Sequence, residues 1–157
     1  MDLLLQLQIA LNIVIASILS GMVGLERELK KKPAGFRTHM IVGGAAALLL
    51  SLGEVLVIHF NELGISKIIQ TDPIRIIEAI IVGISFIGAG TILQVRRDDK
   101  VLYLTTAASV LFSAGIGIAV ALEQYILSIA VTLLILIINY ALSKIFKMLS
   151  HKEEHED

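Results

Sequence analysis

Two short charged motifs stand close together in a chain that is otherwise mostly apolar. Gly24-Leu-Glu-Arg-Glu28 is followed, after six intervening residues, by Gly35-Phe-Arg-Thr-His39. A tight turn through Pro33 and Gly35 makes neighbours of the two segments. That puts Glu26 and Glu28 within reach of Arg37, and lets Arg27 face an acid or a lipid phosphate. Two chemistries fit. One is interfacial anchoring and headgroup contact, which suits Lys30, Lys31 and Lys32 best. The other is a buried ion-pair cluster that fixes a helix bundle or gates a polar pocket, since ionisable groups inside membrane segments mark functional positions. His39 titrates near physiological pH in its ordinary state. Thr105 and Thr106 open a later apolar segment, where their hydroxyls can cap that helix or bond to the first or second one.

Other polar residues offer less. Asp2, Glu54, Glu62, Asp72, Glu78 and Glu123 collect between or at the ends of apolar stretches. They read either as a cation-collecting mouth or as ordinary solvated helix ends. His151 and His155 have the i, i+4 spacing of a metal pair on a helix, but lie in a polar tail read as solvated. Cysteine is absent, which removes disulfide, zinc-thiolate and thiol-nucleophile chemistry. No Ser/His/Asp set, HExxH or phosphate-binding Gly-Lys-Ser/Thr loop occurs, so no enzyme, cofactor or nucleic-acid role is expected.

The elements that must position these groups are transmembrane helices. Of the 157 residues, 56% are hydrophobic and only 17% charged, and the mean hydropathy is +0.86. A helix needs about 20 apolar residues to cross a hydrocarbon core roughly 30 Å thick. Five stretches qualify: Leu3–Leu25, Thr38–Ile58, Arg75–Val95, Leu104–Leu122 and Tyr125–Phe146. Buried helices of a soluble protein usually keep a polar face, and the run from Ser128 to Tyr140 has almost none. The first stretch lacks a basic flank and a small-residue cleavage site, so it is read as a retained helix. The expected fold is therefore an all-α membrane bundle of five helices. Residues 1–147 form the transmembrane domain and residues 148–157 a polar tail.

Charge sets the orientation. With the sides alternating, Arg27, Lys30, Lys31, Lys32, Arg37, Arg96, Arg97, Lys100, Lys144, Lys147 and Lys152 share one side, and only Lys67 and Arg75 take the other. The positive-inside rule places the first group in the cytoplasm, the C-terminus with it and the N-terminus outside. The weakest boundary is at Glu123-Gln124, where neither Gly nor Pro marks a turn.

Small residues predict where helices touch. Ser109, Ser113 and Gly117 stack on one face of the fourth span, and Gly83, Gly88 and Gly90 crowd the third. Such residues let backbones approach closely where lipid gives no hydrophobic drive. Packing within the bundle is the first reading, and a dimer face or a permeation path the second. Asp72-Pro73 reads as an N-cap and first helical residue, with Arg75 and Glu78 on one face behind it.

Five motifs in order now carry a resemblance. Gly-Leu-Glu-Arg-Glu (24–28), Gly-Phe-Arg-Thr-His (35–39), Asp-Pro-x-Arg (72–75), Gly-Ile-Ser-Phe-Ile-Gly-Ala-Gly-Thr-Ile (83–92) and Leu-Thr-Thr-Ala-Ala-Ser (104–109) resemble the MgtC/SapB family of inner-membrane proteins, over roughly residues 10–120. Ser85, Ile87 and Tyr103 depart from the family pattern. The resemblance implies a multi-pass plasma (inner) membrane protein tied to magnesium homeostasis and to acid or low-magnesium stress. It implies action on another membrane system, with functional positions at Glu26, Arg27, Arg37, Thr38, Asp72, Arg75, Gly88, Gly90, Thr105 and Thr106. Glu28 joins them from the motif itself. A homodimer in the lipid bilayer, in contact with another membrane protein, is the expected assembly. The alternative is a small cation transporter with a path along Asp72, Glu78, Ser85 and Glu26. Relatives with a soluble domain after the last span lend it nothing here.

Overall fold

The computed structural model describes residues 3–64, 72–93, 96–97, 100–101 and 103–153. Each expected span is a helix. They are α1 (Leu3–Leu29), α2 (Phe36–Glu62), α3 (Pro73–Leu93), α4 (Leu104–Ala121) and α5 (Tyr125–Glu153). The 27 residues of α1 span about 40 Å and the 18 of α4 about 27 Å at 1.5 Å per residue. Four helices are long and apolar enough to cross a membrane, and α5 adds a shorter apolar stretch over Tyr125–Ala141. Helix α5 continues to Glu153, beyond the expected end of the fifth span. His155 and the last residues of the expected tail lie outside the described residues. A short antiparallel ladder, which the sequence did not suggest, joins β1 (Arg96–Arg97) to β2 (Lys100–Val101) between α3 and α4.

Helices α1, α2 and α4 form the centre, with α3 against α4 and α2, and α5 against α4 and α1. Small residues make this possible. Ala16, Ala46, Ala47 and Ala114 are fully or almost fully buried beside Val23, Val110 and Val120. A Cβ added to Gly117 would stand 2.1 Å from the Gly43 carbonyl oxygen, so α2 and α4 touch backbone to backbone. The outer surface is the reverse: Ile126 is 87% exposed and Phe86 82%. In water, apolar surface on this scale would drive association at about 25 cal/mol per Å². Lipid removes that cost, and the chain is a membrane protein.

The doubtful α4–α5 boundary has a clear cause. Glu123 is left-handed (φ 59°), Glu123 N donates to Val120 O at 2.9 Å and Gln124 N to Ala119 O at 2.9 Å. This is a Schellman end, usually built on glycine. The same motif closes α1, with Lys31 left-handed (φ 53°), Lys31 N on Glu28 O and Lys32 N on Arg27 O. In both places a charged residue occupies the position that glycine usually fills, which hides the turn from a search for Gly and Pro.

Candidate functional site

The end of α1, the start of α2 and the start of α4 meet at one end of the bundle, and glycine sets how closely. A Cβ on Gly24 would lie 2.7 Å from Gly35 O and 2.9 Å from Phe36 Cα. Both are backbone atoms that cannot move aside, so the glycines of the two motifs let α1 and α2 cross. Across this junction the Glu28 carboxylate accepts a hydrogen bond from Phe36 N at 2.8 Å, capping the first turn of α2.

Arg27 is the centre of the cluster. It is only 4% exposed. Its Nη2 donates to Thr105 Oγ1 and to Thr106 Oγ1, both at 3.1 Å. The two threonines thus bond across to α1. Its Nε is buried without a hydrogen-bond partner. No carboxylate pairs with Arg27 among the described residues. Glu26, its neighbour, is ion-paired with Lys30 at 2.5 Å and accepts from Asn139 Nδ2 of α5 at 3.0 Å. Lys30 also donates to Asn139 O at 2.8 Å.

His39 extends the network on the α2 side. It is fully buried. Nδ1 lies 2.8 Å from Gly35 O, and Nε2 lies 3.1 Å from Ser109 Oγ. A carbonyl only accepts, so Nδ1 carries the proton. In the neutral ring Nε2 must then accept from the Ser109 hydroxyl. Ser109 Oγ also lies 2.8 Å from Thr106 O. It can donate there only when Nε2 is itself protonated.

Several expected positions fall elsewhere. Arg37 and Thr38 are exposed. The anticipated pairing of Arg37 with Glu26 or Glu28 is not formed among the described residues, because those carboxylates are taken by Lys30, Asn139 and Phe36 N. Helix periodicity gives the deeper reason. Arg37 lies about 200° round α2 from buried His39, so it must face outward. Asp72 Oδ1 accepts from Ile74 N at 3.0 Å, and Asp72 O accepts from Arg75 N at 3.1 Å, with α3 starting at Pro73. Arg75 and Glu78 are exposed, with no ion pair between them among the described residues. Ser109, Ser113 and Gly117 are buried, and Ser20 Oγ of α1 donates to Ser113 O at 3.2 Å. Gly88 is in ordinary contact with Ala107 of α4, its added Cβ 3.4 Å from that methyl group. Gly83 and Gly90 differ: an added Cβ at either meets nothing within 4 Å, so among the described residues neither packs against another helix.

Sequence reasoning missed Asn139 and the His39–Ser109 link. A lone Asn among the isoleucines of the fifth span was the available signal. At the opposite end of the bundle, Gln8 donates to Glu123, and Tyr125 OH donates to Asn12 Oδ1 at 2.9 Å. Gln8, Asn12 and Glu123 border a cavity of about 100 Å³ lined also by Ser51 and Glu54. Among the described residues, no three His, Cys, Asp or Glu side chains converge as a metal site.

With this geometry in place, comparison with known proteins is informative. The MgtC family profile matches residues 13–148. The chain is 37% identical over 134 residues to the protein MgtC of Salmonella typhimurium, covering 84% of this chain and 51% of that protein. It is 36% identical over 129 residues to the protein SapB of Bacillus subtilis, covering 82% and 54%. It is 31% identical over 148 residues to the putative magnesium transporter YhiD of Escherichia coli, covering 92% and 65%. The chain thus spans between 51% and 65% of the length of these relatives. No solved structure matches it.

Proposed function

The chain belongs to the MgtC family, and from that premise we propose that it serves ion homeostasis, magnesium above all, under acid or low-magnesium stress. It acts by regulating another membrane system rather than by catalysis or conduction. Its seat is the plasma (inner) membrane, with the N-terminus outside and the basic end of the bundle in the cytoplasm. The name of the Escherichia coli relative, a putative magnesium transporter, supports the link to magnesium.

One observation carries the choice of regulator over transporter. The cluster at Arg27 and the cavity at Glu54 lie at opposite ends of α1, α2 and α4. Between them the core is close-packed, with Ala16, Ala47, Val110 and Ala114 fully buried. The Gly43–Gly117 contact has no room for a methyl group, still less a hydrated ion. A homodimer fits the same picture. The exposed face of α3 at Gly83 and Gly90 is smooth enough for a second copy to approach closely.

The second reading, a small cation transporter, has one feature in its favour. The cavity bordered by Gln8, Asn12, Ser51, Glu54 and Glu123 offers oxygen ligands and negative charge. Of the path first expected for it, Asp72, Glu78 and Ser85 are exposed on α3, while Glu26 is engaged with α5.

Magnesium flux into liposomes carrying the purified protein separates the two. The regulator reading expects no flux above empty vesicles, and flux that depends on Glu54 would replace it with the transporter. Arg37→Ala tests the exposed surface. Arg37 makes no side-chain hydrogen bond or ion pair among the described residues, so membrane levels stay normal while growth at low magnesium is lost. Full growth with normal levels would remove Arg37 from the working surface.

A further inference from the structure

The Arg27 guanidinium is a cation held ready inside the bundle. A buried charge is costly unless paired, yet among the described residues Arg27 has only two hydroxyl oxygens as partners. Guanidinium has five N–H donors; Nη2 serves the two threonines, and Nε is buried without a partner. Each threonine oxygen accepts from Arg27, and among the described residues neither hydroxyl donates a hydrogen bond of its own. Helix α4 begins here, 18 residues long, behind a left-handed Tyr103 (φ 68°) with no side-chain cap. The amides of Thr106 and Ala107 return to Tyr103 O. Those of Leu104 and Thr105 form no hydrogen bond among the described residues. A helix start with open amides carries partial positive charge and accommodates anions. Lys32 is exposed on the adjoining α1–α2 turn and Arg37 on the first turn of α2. Among the described residues the nearby acids are committed, Glu26 to Lys30 and Asn139, and Glu28 to Phe36 N.

From this convergence we infer that Arg27, Thr105, Thr106 and the start of α4 form a binding site for a phosphate-type oxyanion. A lipid headgroup phosphate and free inorganic phosphate present the same chemistry: tetrahedral, anionic and acceptor-only. Thr105 is exposed while Thr106 is fully buried, so the anion enters from the Thr105 side. Arg27 supplies the charge, the Thr105 hydroxyl and the open amides orient the oxygens, and Thr106 holds the guanidinium in place. Binding would couple α1 to α4 and so pass the occupancy of this end to the helices beneath it. The inference concerns binding by the isolated protein, so its failure would leave the growth phenotype of Arg37→Ala untouched.

The test uses the full chain, delipidated in maltoside detergent, with thermal stability and calorimetry as readouts. One arm titrates sodium phosphate against sodium chloride at equal ionic strength. The other titrates short-chain phosphatidylglycerol. Stabilisation by phosphate without lipid identifies a free anion as ligand, and stabilisation by the lipid alone identifies a headgroup. Arg27→Gln is expected to weaken binding about tenfold or more, since a lost charge-assisted hydrogen bond of this kind is worth at least that factor. Thr105→Val, at an exposed position that leaves the Arg27–Thr106 bond intact, weakens it several-fold and decides the matter if Arg27→Gln does not fold. Lys31→Gln, outside the cluster, leaves the affinity within about twofold, because an exposed charge in high dielectric contributes little. The site is overturned if neither ligand stabilises the protein beyond chloride. It is equally overturned if Thr105→Val binds as tightly as the parent, or if Lys31→Gln weakens binding as much as Thr105→Val does.

Discussion

Adding one methyl group at Gly117 tests the packing that holds both ends of the bundle in register. In Gly117→Ala the new Cβ would lie 2.1 Å from Gly43 O and 3.0 Å from Ala46 Cβ. Carbon and oxygen need about 1 Å more than that, and the obstacle is backbone, which no rotamer change relieves. Helices α2 and α4 must therefore separate along their contact, and overpacking of this kind costs about 1–3 kcal/mol. Alanine recovers up to about 1 kcal/mol of helix propensity. Subtracting that gain leaves a net loss of up to about 2 kcal/mol, or up to roughly 8 °C in melting temperature for a chain of this size. Gly115→Ala is the matched control. It makes the same chemical change about 200° round the same helix, where an added Cβ meets nothing within 4 Å. Its melting temperature should equal or exceed that of the parent. The assay is loss of the monodisperse peak in size-exclusion chromatography after heating in detergent, at one fixed scan rate. Equal melting of the two alanine variants would refute the backbone contact, and with it the closed core that argues against a conduction path.

Three further outcomes follow from the geometry. His39→Ala removes a fully buried ring together with its side-chain bonds to Gly35 O and Ser109 Oγ; a loss of about 2–4 kcal/mol is expected from the cavity and the lost bonds, measured by the same thermal assay. Asp72→Ala deletes the bond to Ile74 N and should cost about 0.5–2 kcal/mol, whereas Asp72→Asn, which keeps the acceptor, should cost little of that. Lys31→Gly relieves a left-handed, exposed residue at the end of α1 and should raise stability by about 1 kcal/mol; a lower melting temperature would show that Lys31 has a role beyond the turn.

Much of the architecture was legible before any coordinates. Span length and apolarity are local properties, and each of the five expected stretches became a helix. Asp72-Pro73 marked the start of α3 because capping and proline geometry act within one turn. The motifs at 24–28 and 35–39 were recognisable as a pair because the short loop leaves their ends nowhere else to go. Glycine, by contrast, reads alike wherever it stands. Gly43 and Gly117 touch backbone, while Gly83 and Gly90 face open space, and nothing in the chain's order distinguishes them.

The sequence by itself determined the helices, the lipid-facing character of their surfaces and the polar residues that had to meet at one end. Tertiary structure alone decided the pairing. Arg27 met Thr105 and Thr106 across 78 and 79 residues, Glu26 met Asn139, and Arg37 turned away from both acids. Such choices depend on helix rotation and on crossing distance. Those are settled by the sum of many small contacts along α1, α2 and α4, and a charged side chain can only take the partner that this packing brings within about 3 Å.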